Sequence, residues 1–259
     1  MSLSIAYSYH KVASSHYFNL IAWRWTLASE IKLYAKTSYG NFNLLINNTL
    51  CKIYSIVMCQ LIIATTFMSM ATFHEPTIII LKSYPCLSII TSITTLGILI
   101  ALACSEYLRR KSPVNYIFLF LITLALSFLL AVSVSQYYPN QVLLALGIAT
   151  IICFAFTIFA LQTKIDFTVM GSFFMVAIII LLVASTVVIL IPGKLMTLIT
   201  ACIGSIIYSM YLIYDTQIMV GSNHRYSITP REYILGVLAI YIDIINIFKD
   251  ILTIIVIGD

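Results

Sequence analysis

Charge is what this sequence has least of. Only 9% of its 259 residues are Asp, Glu, Lys or Arg, against about 25% in a soluble domain that must cover its surface. A water-soluble globule is thereby excluded and a membrane protein indicated. The net charge of +5 does not point to nucleic acid, because the basic residues lie between apolar runs and form no patch. The six cysteines, Cys51, Cys59, Cys86, Cys104, Cys153 and Cys202, contain no Cys-x-x-Cys pair and sit in or beside apolar runs, where they read as packing residues. There is no phosphate-binding glycine loop, no serine nucleophile elbow and no His-Glu-x-x-His. His74, Glu75 and His224 have no metal-ligand spacing. These absences leave no catalytic centre and no cofactor site, so the expected protein is not an enzyme. Internal repeats are missing too, as are the charged start, short apolar core and small-residue cleavage site of a signal peptide.

What the chain has is apolar length. Apolar residues make up 61% of it, and the mean hydropathy is +1.05. A helix of about 20 apolar residues spans the hydrocarbon core. Seven runs qualify: Lys52–Phe73, Tyr84–Ser105, Val114–Val134, Gln141–Ala160, Phe167–Leu190, Leu195–Met219 and Tyr233–Ile257. Pro76, Pro85, Pro113, Pro139, Pro192-Gly193 and the stretch from Gly221 to Pro230 punctuate them. The expected fold is an all-α, seven-transmembrane-helix bundle over residues 51–259. Residues 1–50 form either a cytosolic tail or an interfacial amphipathic helix, since Leu20, Trp23, Leu27, Ile31 and Tyr34 fall at helical spacing.

Basic residues set the orientation. Lys11, Arg24, Lys32, Lys36, Lys52, Arg109, Arg110, Lys111, Lys164, Arg225 and Arg231 fall on one side, and only Lys82 and Lys194 on the other. The N-terminus is therefore expected in the cytosol, and the Asn47-Asn48-Thr49 sequon unused. Seven full crossings put the C-terminus outside, unless the last segment dips in and returns. Lys249, near the far end of the last run, is expected to snorkel to the interface. Thr229-Pro230-Arg231-Glu232 reads as a capping box that starts the last helix.

Two apolar runs carry an aspartate: Asp215 in the sixth and Asp243 in the seventh. A carboxylate at mid-membrane costs about 2.5–3.5 kcal/mol on insertion scales and marks a functional position by default. Gly236, Asp243, Asn246 and Asp250 share one face of the last helix; Tyr208, Tyr211 and Asp215 share a face of the one before. Counted from their loop ends, the aspartates differ in depth by about 14 Å at 1.5 Å per residue, a mismatch that an extended Gly221–Ile228 segment can absorb. If they meet, two carboxylates in one low-dielectric site cannot both ionise cheaply and share a proton. Without that proton they repel, or attract a hard cation such as calcium. If they do not meet, each merely hydrogen-bonds neighbours such as Tyr211, Thr216 or Asn246 and locks helix packing.

Tyr214-Asp-Thr-Gln217, Ser227-Ile-Thr-Pro-Arg-Glu-Tyr233 and Tyr241-Ile-Asp-Ile-Ile-Asn-Ile-Phe248 resemble the C-terminal signature of the transmembrane Bax inhibitor motif family. Upstream, Lys52-Ile-Tyr-Ser-Ile-Val-Met-Cys-Gln60 resembles its first helix and Arg109-Arg-Lys-Ser-Pro-Val-Asn115 its second-to-third loop. Gln162-Thr-Lys-Ile-Asp-Phe-Thr168 is similar to the loop before the fifth helix, in the form of the Lifeguard branch. The resemblance covers about Thr49 to the C-terminus. It implies a seven-helix fold in the endoplasmic reticulum, Golgi, endosomal or plasma membrane. It implies calcium leak and protection from apoptosis, with apoptotic or receptor membrane proteins as partners beside the lipid bilayer and calcium ions. It also implies that Asp215 and Asp243 are the family's paired aspartates, which gate the leak with pH. On the residues' own chemistry the pair holds calcium transiently, and Tyr211, Asn246 and Asp250 support it from the shared helix faces. Arg109 and Arg110 supply a counter-charge or act as plain membrane-flanking anchors. The chain departs from the family in lacking a long Pro/Gly/Tyr-rich tail, in Cys51 where arginine is usual, and in Lys249-Asp250 within a normally apolar stretch.

Two other readings compete. A non-conducting scaffold for death-receptor or apoptotic partners needs no ion path. An intramembrane aspartyl protease also uses two membrane aspartates, but its Gly-x-Gly-Asp motif is absent, since Ile240-Tyr241-Ile242 precedes Asp243.

Overall fold

A computed structural model of the chain describes residues 42–83, 86–105, 114–220 and 233–258. Among them are eight α-helices and one 3-10 turn, with no strand. In chain order the helices are α1 (Phe42–Phe73), α2 (Glu75–Ser83), α3 (Cys86–Cys104), α4 (Val114–Val134), α5 (Pro139–Gln162), α6 (Gly171–Leu190), α7 (Lys194–Val220) and α8 (Tyr233–Gly258); the 3-10 turn, Phe167–Met170, leads into α6. The N-terminal stretch before residue 42, Arg109, Arg110 and the Thr229–Glu232 capping box lie outside the described residues.

Among the described residues, five helices are long and apolar enough to cross a membrane: Cys51–Phe73 within α1, then Val114–Val134, Pro139–Gln162, Phe167–Leu190 and Lys194–Val220. Of the other two expected spans, α3 contributes a shorter apolar stretch, Ile89–Ala101. The 26-residue α8 has the length, but it carries Asp243, Lys249 and Asp250. Two boundaries differ from expectation. The first helix begins at Phe42 and not at Lys52, and the break around Pro76 is itself a helix, α2. Proline in a first helical turn loses no hydrogen bond, because the early N–H groups have no partner in the helix anyway. The same logic starts α5, where Tyr138 is extended (φ −72°, ψ 141°) and Pro139 opens the helix.

Side-chain hydroxyls that face apolar surroundings satisfy themselves locally. Thr66, Thr72, Thr91, Thr150 and Thr186 each donate to the carbonyl four residues back, which keeps the helices free of stray polar groups in lipid. Outward, the bundle exposes Ile62, Ile93, Ile151, Phe154, Phe173 and Ile206. Apolar surface that extensive is a lipid-facing belt and not a soluble exterior, so the chain is an integral membrane protein.

Inside the belt, α8 occupies the middle. Every residue from Ile234 to Leu252 is buried except the half-buried Ile244, and α8 packs on α7, α5, α1 and α4. The C-terminal half of α7 is enclosed as well, with Tyr211 through Met219 buried without interruption. A helix buried all round is a core element. The two helices with membrane aspartates thus carry the longest unbroken buried stretches among the described residues.

Candidate functional site

Two glycines report how α7 and α8 are set against each other. A Cβ on Gly236 of α8 would collide with the thioether of Met219, and a Cβ on Gly204 of α7 would collide with the Asp250 carboxylate. In an antiparallel pair, level residues have numbers with a constant total, and both contacts agree on about 455. On that register Asp243 stands beside Tyr211–Leu212 and Asp215 beside Ala239–Ile240. The aspartates are staggered by about 5 Å along the axis, roughly one turn at 1.5 Å per residue. The 14 Å mismatch counted from the loop ends is therefore largely taken up before the helices meet.

Both carboxylates are enclosed: Asp215 is 5% exposed and Asp243 0%. Asp215 is nearly as enclosed as its partner. On α8, Asn246 and Asp250 are fully buried on the Asp243 face, as the three- and four-residue spacing requires. Cys153 of α5 lies close enough to Asp243 to feel its charge. Tyr241, two residues earlier, shares a hydrogen bond with Ser127 of α4 at 3.0 Å, which fixes the rotation of α8 about its axis. Tyr211, expected among the groups supporting the pair, donates its hydroxyl to the Phe174 carbonyl of α6 at 2.7 Å. It stacks with Phe174 and Tyr214, with ring centroids 5.2–6.3 Å apart. That cluster is the anchor that holds α6 on α7.

Lys249 corrects an expectation. It does not snorkel: it is 6% exposed, because α8 is central and offers its stem no route along a lipid-facing surface. Asp250, the next residue along α8, is buried with it.

The four residues Tyr214–Gln217 divide the directions around α7 among them. Tyr214 packs its hydroxyl against Gly171, where a Cβ would come within 2.9 Å of the phenol oxygen. Asp215 is the buried carboxylate, and Thr216 faces Tyr54 of α1. Gln217 was not singled out as a site residue, yet it holds the segment before α6. Its Nε2 donates to the Ile165 carbonyl at 2.9 Å and its Oε1 accepts from the Phe167 N–H at 2.9 Å. Asp166, between them, accepts from the Thr168 N–H at 3.0 Å and caps the 3-10 turn. Two motifs 50 residues apart in the chain are thus one structural unit. Gln217→Leu should lower stability by about 1–3 kcal/mol, the net worth of two hydrogen bonds to partly buried peptide groups, and should raise hydrogen exchange at the Phe167 amide. An unchanged melting temperature in detergent would mean the segment is held by other contacts.

Among the described residues, no three His, Cys, Asp or Glu side chains come together as a metal-binding group.

Comparison with known proteins gives consistent matches. The family model described as "Inhibitor of apoptosis-promoting Bax1" matches residues 46–259. Protein lifeguard 3 of Homo sapiens and of Mus musculus are each 34% identical over 205 residues, covering 78% of this chain and 66% of the relative. Protein lifeguard 4 of Mus musculus is 29% identical over 201 residues, covering 78% of this chain and 81% of the relative. The chain thus spans just under two thirds of the lifeguard 3 proteins. The family match takes in both aspartates, the Gln217 clamp and every described helix save the first residues of α1; the chain belongs to the Bax inhibitor motif family, in its Lifeguard branch.

Proposed function

We propose that this protein restrains apoptosis from within an intracellular or plasma membrane, and that it does so as a pH-sensitive calcium leak gated by Asp215 and Asp243. The family's description and the names of the lifeguard relatives supply the first part. The second is supported by two buried carboxylates on packed neighbouring helices, whose register at Gly204 and Gly236 sets them about one turn apart along the axis. Enclosed so closely, they share a proton when the path is shut. Loss of that proton leaves two negative charges in a low-dielectric seam, where repulsion parts the helices or a divalent cation takes the proton's place. In this reading α1 and α3–α8 make seven crossings, with the N-terminus in the cytosol and α2 as a short connector. The endoplasmic reticulum and Golgi are the preferred compartments.

The test is calcium efflux from liposomes holding the purified chain, followed across a pH series. Release that rises with pH and depends on both aspartates supports the gate. Release no faster than from empty liposomes at every pH would favour the scaffold reading.

The orientation has its own check. An epitope at Met1 should be open to protease from the cytosolic face of intact microsomes, and Asn47 should carry no glycan. A glycan at Asn47 would invert the bundle, and with it the face from which protons reach the pair.

A further inference from the structure

Three residues of α8 past Asp243 are left over by the gate: Asn246, Lys249 and Asp250. Asp250 is fully buried one turn beyond Asn246, and its Oδ2 rests against the bare Cα of Gly204 on α7. Only glycine leaves room for a carboxylate there. Asn246 is 0% exposed, and neither its amide oxygen nor its amide nitrogen has a hydrogen-bond partner among the described residues. Buried side-chain amides are nearly always paired, so an orphan one beside a carboxylate marks a place built for a ligand. The Asn246 oxygen and the Asp250 carboxylate, four residues apart on one helix face, offer hard oxygen atoms, the donor set of a calcium-like cation. Lys249, also buried, directly precedes Asp250 on α8.

We propose that Asn246 and Asp250, cradled against Gly204, form a cation site separate from the Asp215–Asp243 pair, and that Lys249 supplies from the same helix the charge a free cation would otherwise bring. The lysine is a tethered counter-ion. While its ammonium neutralises Asp250, a divalent cation that entered would face both the cost of leaving water and the repulsion of a fixed positive charge in a low-dielectric interior. Remove the lysine charge, and Asp250 and Asn246 become an open acidic site. The inference concerns binding, and it stands whether or not ions cross the membrane.

The test uses the full-length protein in detergent, radioactive calcium at equilibrium, and Lys249→Met, with Lys249→Gln as a second variant that keeps a polar head. Every variant is also prepared with Asp215→Asn and Asp243→Asn, so that calcium held by the gate pair does not contribute. Loss of the lysine should add about one bound calcium ion per chain, and calcium should raise the melting temperature of the variant but not of the lysine-bearing protein. Adding Asn246→Ala should weaken that new binding by about 10–100-fold, the range seen when a supporting group at a metal site is lost. Adding Asp250→Asn should abolish it. A variant that folds only when calcium is present supports the site equally. The proposal is overturned if the folded variants bind no extra calcium, if the extra binding survives Asp250→Asn, if it disappears with the gate pair neutralised, or if both variants unfold regardless of calcium.

Discussion

Asp243→Asn should leave calcium release from liposomes nearly flat between about pH 6 and pH 8, where a coupled carboxylate pair titrates, while release through the unmodified protein climbs with pH over the same range. The sign follows from what the proton does. In the proposed gate the pair holds one proton between two carboxylates at the acidic end and the seam stays closed. Raising the pH would remove it and leave like charges on two buried residues. An asparagine in place of either aspartate removes that repulsion for good, because the amide keeps the shape and carries no charge. Asp215→Asn should therefore act like Asp243→Asn, and the double variant should add little, since groups that work as one unit give strongly non-additive effects. Additive losses would mean two independent ion sites. An unchanged pH profile in either single variant would return that aspartate to a packing role.

Most of the frame was legible from the sequence because lipid imposes simple rules. Apolar runs of the right length, broken by proline and glycine, marked α4, α5, α6 and α7 to within a few residues. The enclosure of Asp243, Asn246 and Asp250 followed from their shared helix face. What was not legible depended on which helix lies in the middle. Lys249 looked like an anchor near a helix end, because hydropathy does not distinguish a lipid-facing helix from a central one. Once α8 is surrounded by four others, the same residue is an interior charge. The offset of Asp215 from Asp243 could only be bounded from the sequence, for a related reason. Counting from the loop assumes that both helices begin at one level, whereas the true register is set by side-chain size at Gly204 and Gly236.

Gln217 was passed over because a glutamine after a membrane aspartate carries no spacing signal of its own. Its partners, Ile165 and Phe167, stand 50 residues away or more, and only the fold brings them together. One signal was available: two motifs of unusual polarity, Gln162–Thr168 and Tyr214–Gln217, both lie at the ends of apolar runs on the same expected side of the membrane. Peptide groups at such ends need partners, and the polar residue on the neighbouring end is the natural supplier. Tyr211 shows how far a side chain can reach from its helix face. It lies level with Asp243 on the α7–α8 register, and its hydroxyl also finds a carbonyl on α6.

The two glycines on the α7–α8 seam should answer the same substitution very differently. At Gly204 an added Cβ meets the Asp250 carboxylate, with Oδ1 and Cγ also within 3.5 Å. That carboxylate is short, charged and fully buried, so it cannot swing to solvent. Either the helices part or the carboxylate leaves its seat. Gly204→Ala should cost about 1–3 kcal/mol, the usual range for overpacking a close interior contact, and should read as a lower melting temperature in detergent. At Gly236 the obstacle is the Cε and Sδ end of Met219. Methionine has three rotatable bonds and fills irregular gaps, so it can withdraw. The alanine also gains up to about 1 kcal/mol of helix propensity over glycine, and Gly236→Ala should come out within about 1 kcal/mol of the parent. The cause at Gly204 can be isolated by a double-mutant cycle with Asp250→Ala: once the carboxylate is gone, adding Cβ should cost far less, leaving a coupling of about 1 kcal/mol or more. Equal losses at the two glycines, or no coupling between Gly204 and Asp250, would show that α7 and α8 are not held in this register, and that the one-turn stagger of the aspartates is wrong as well.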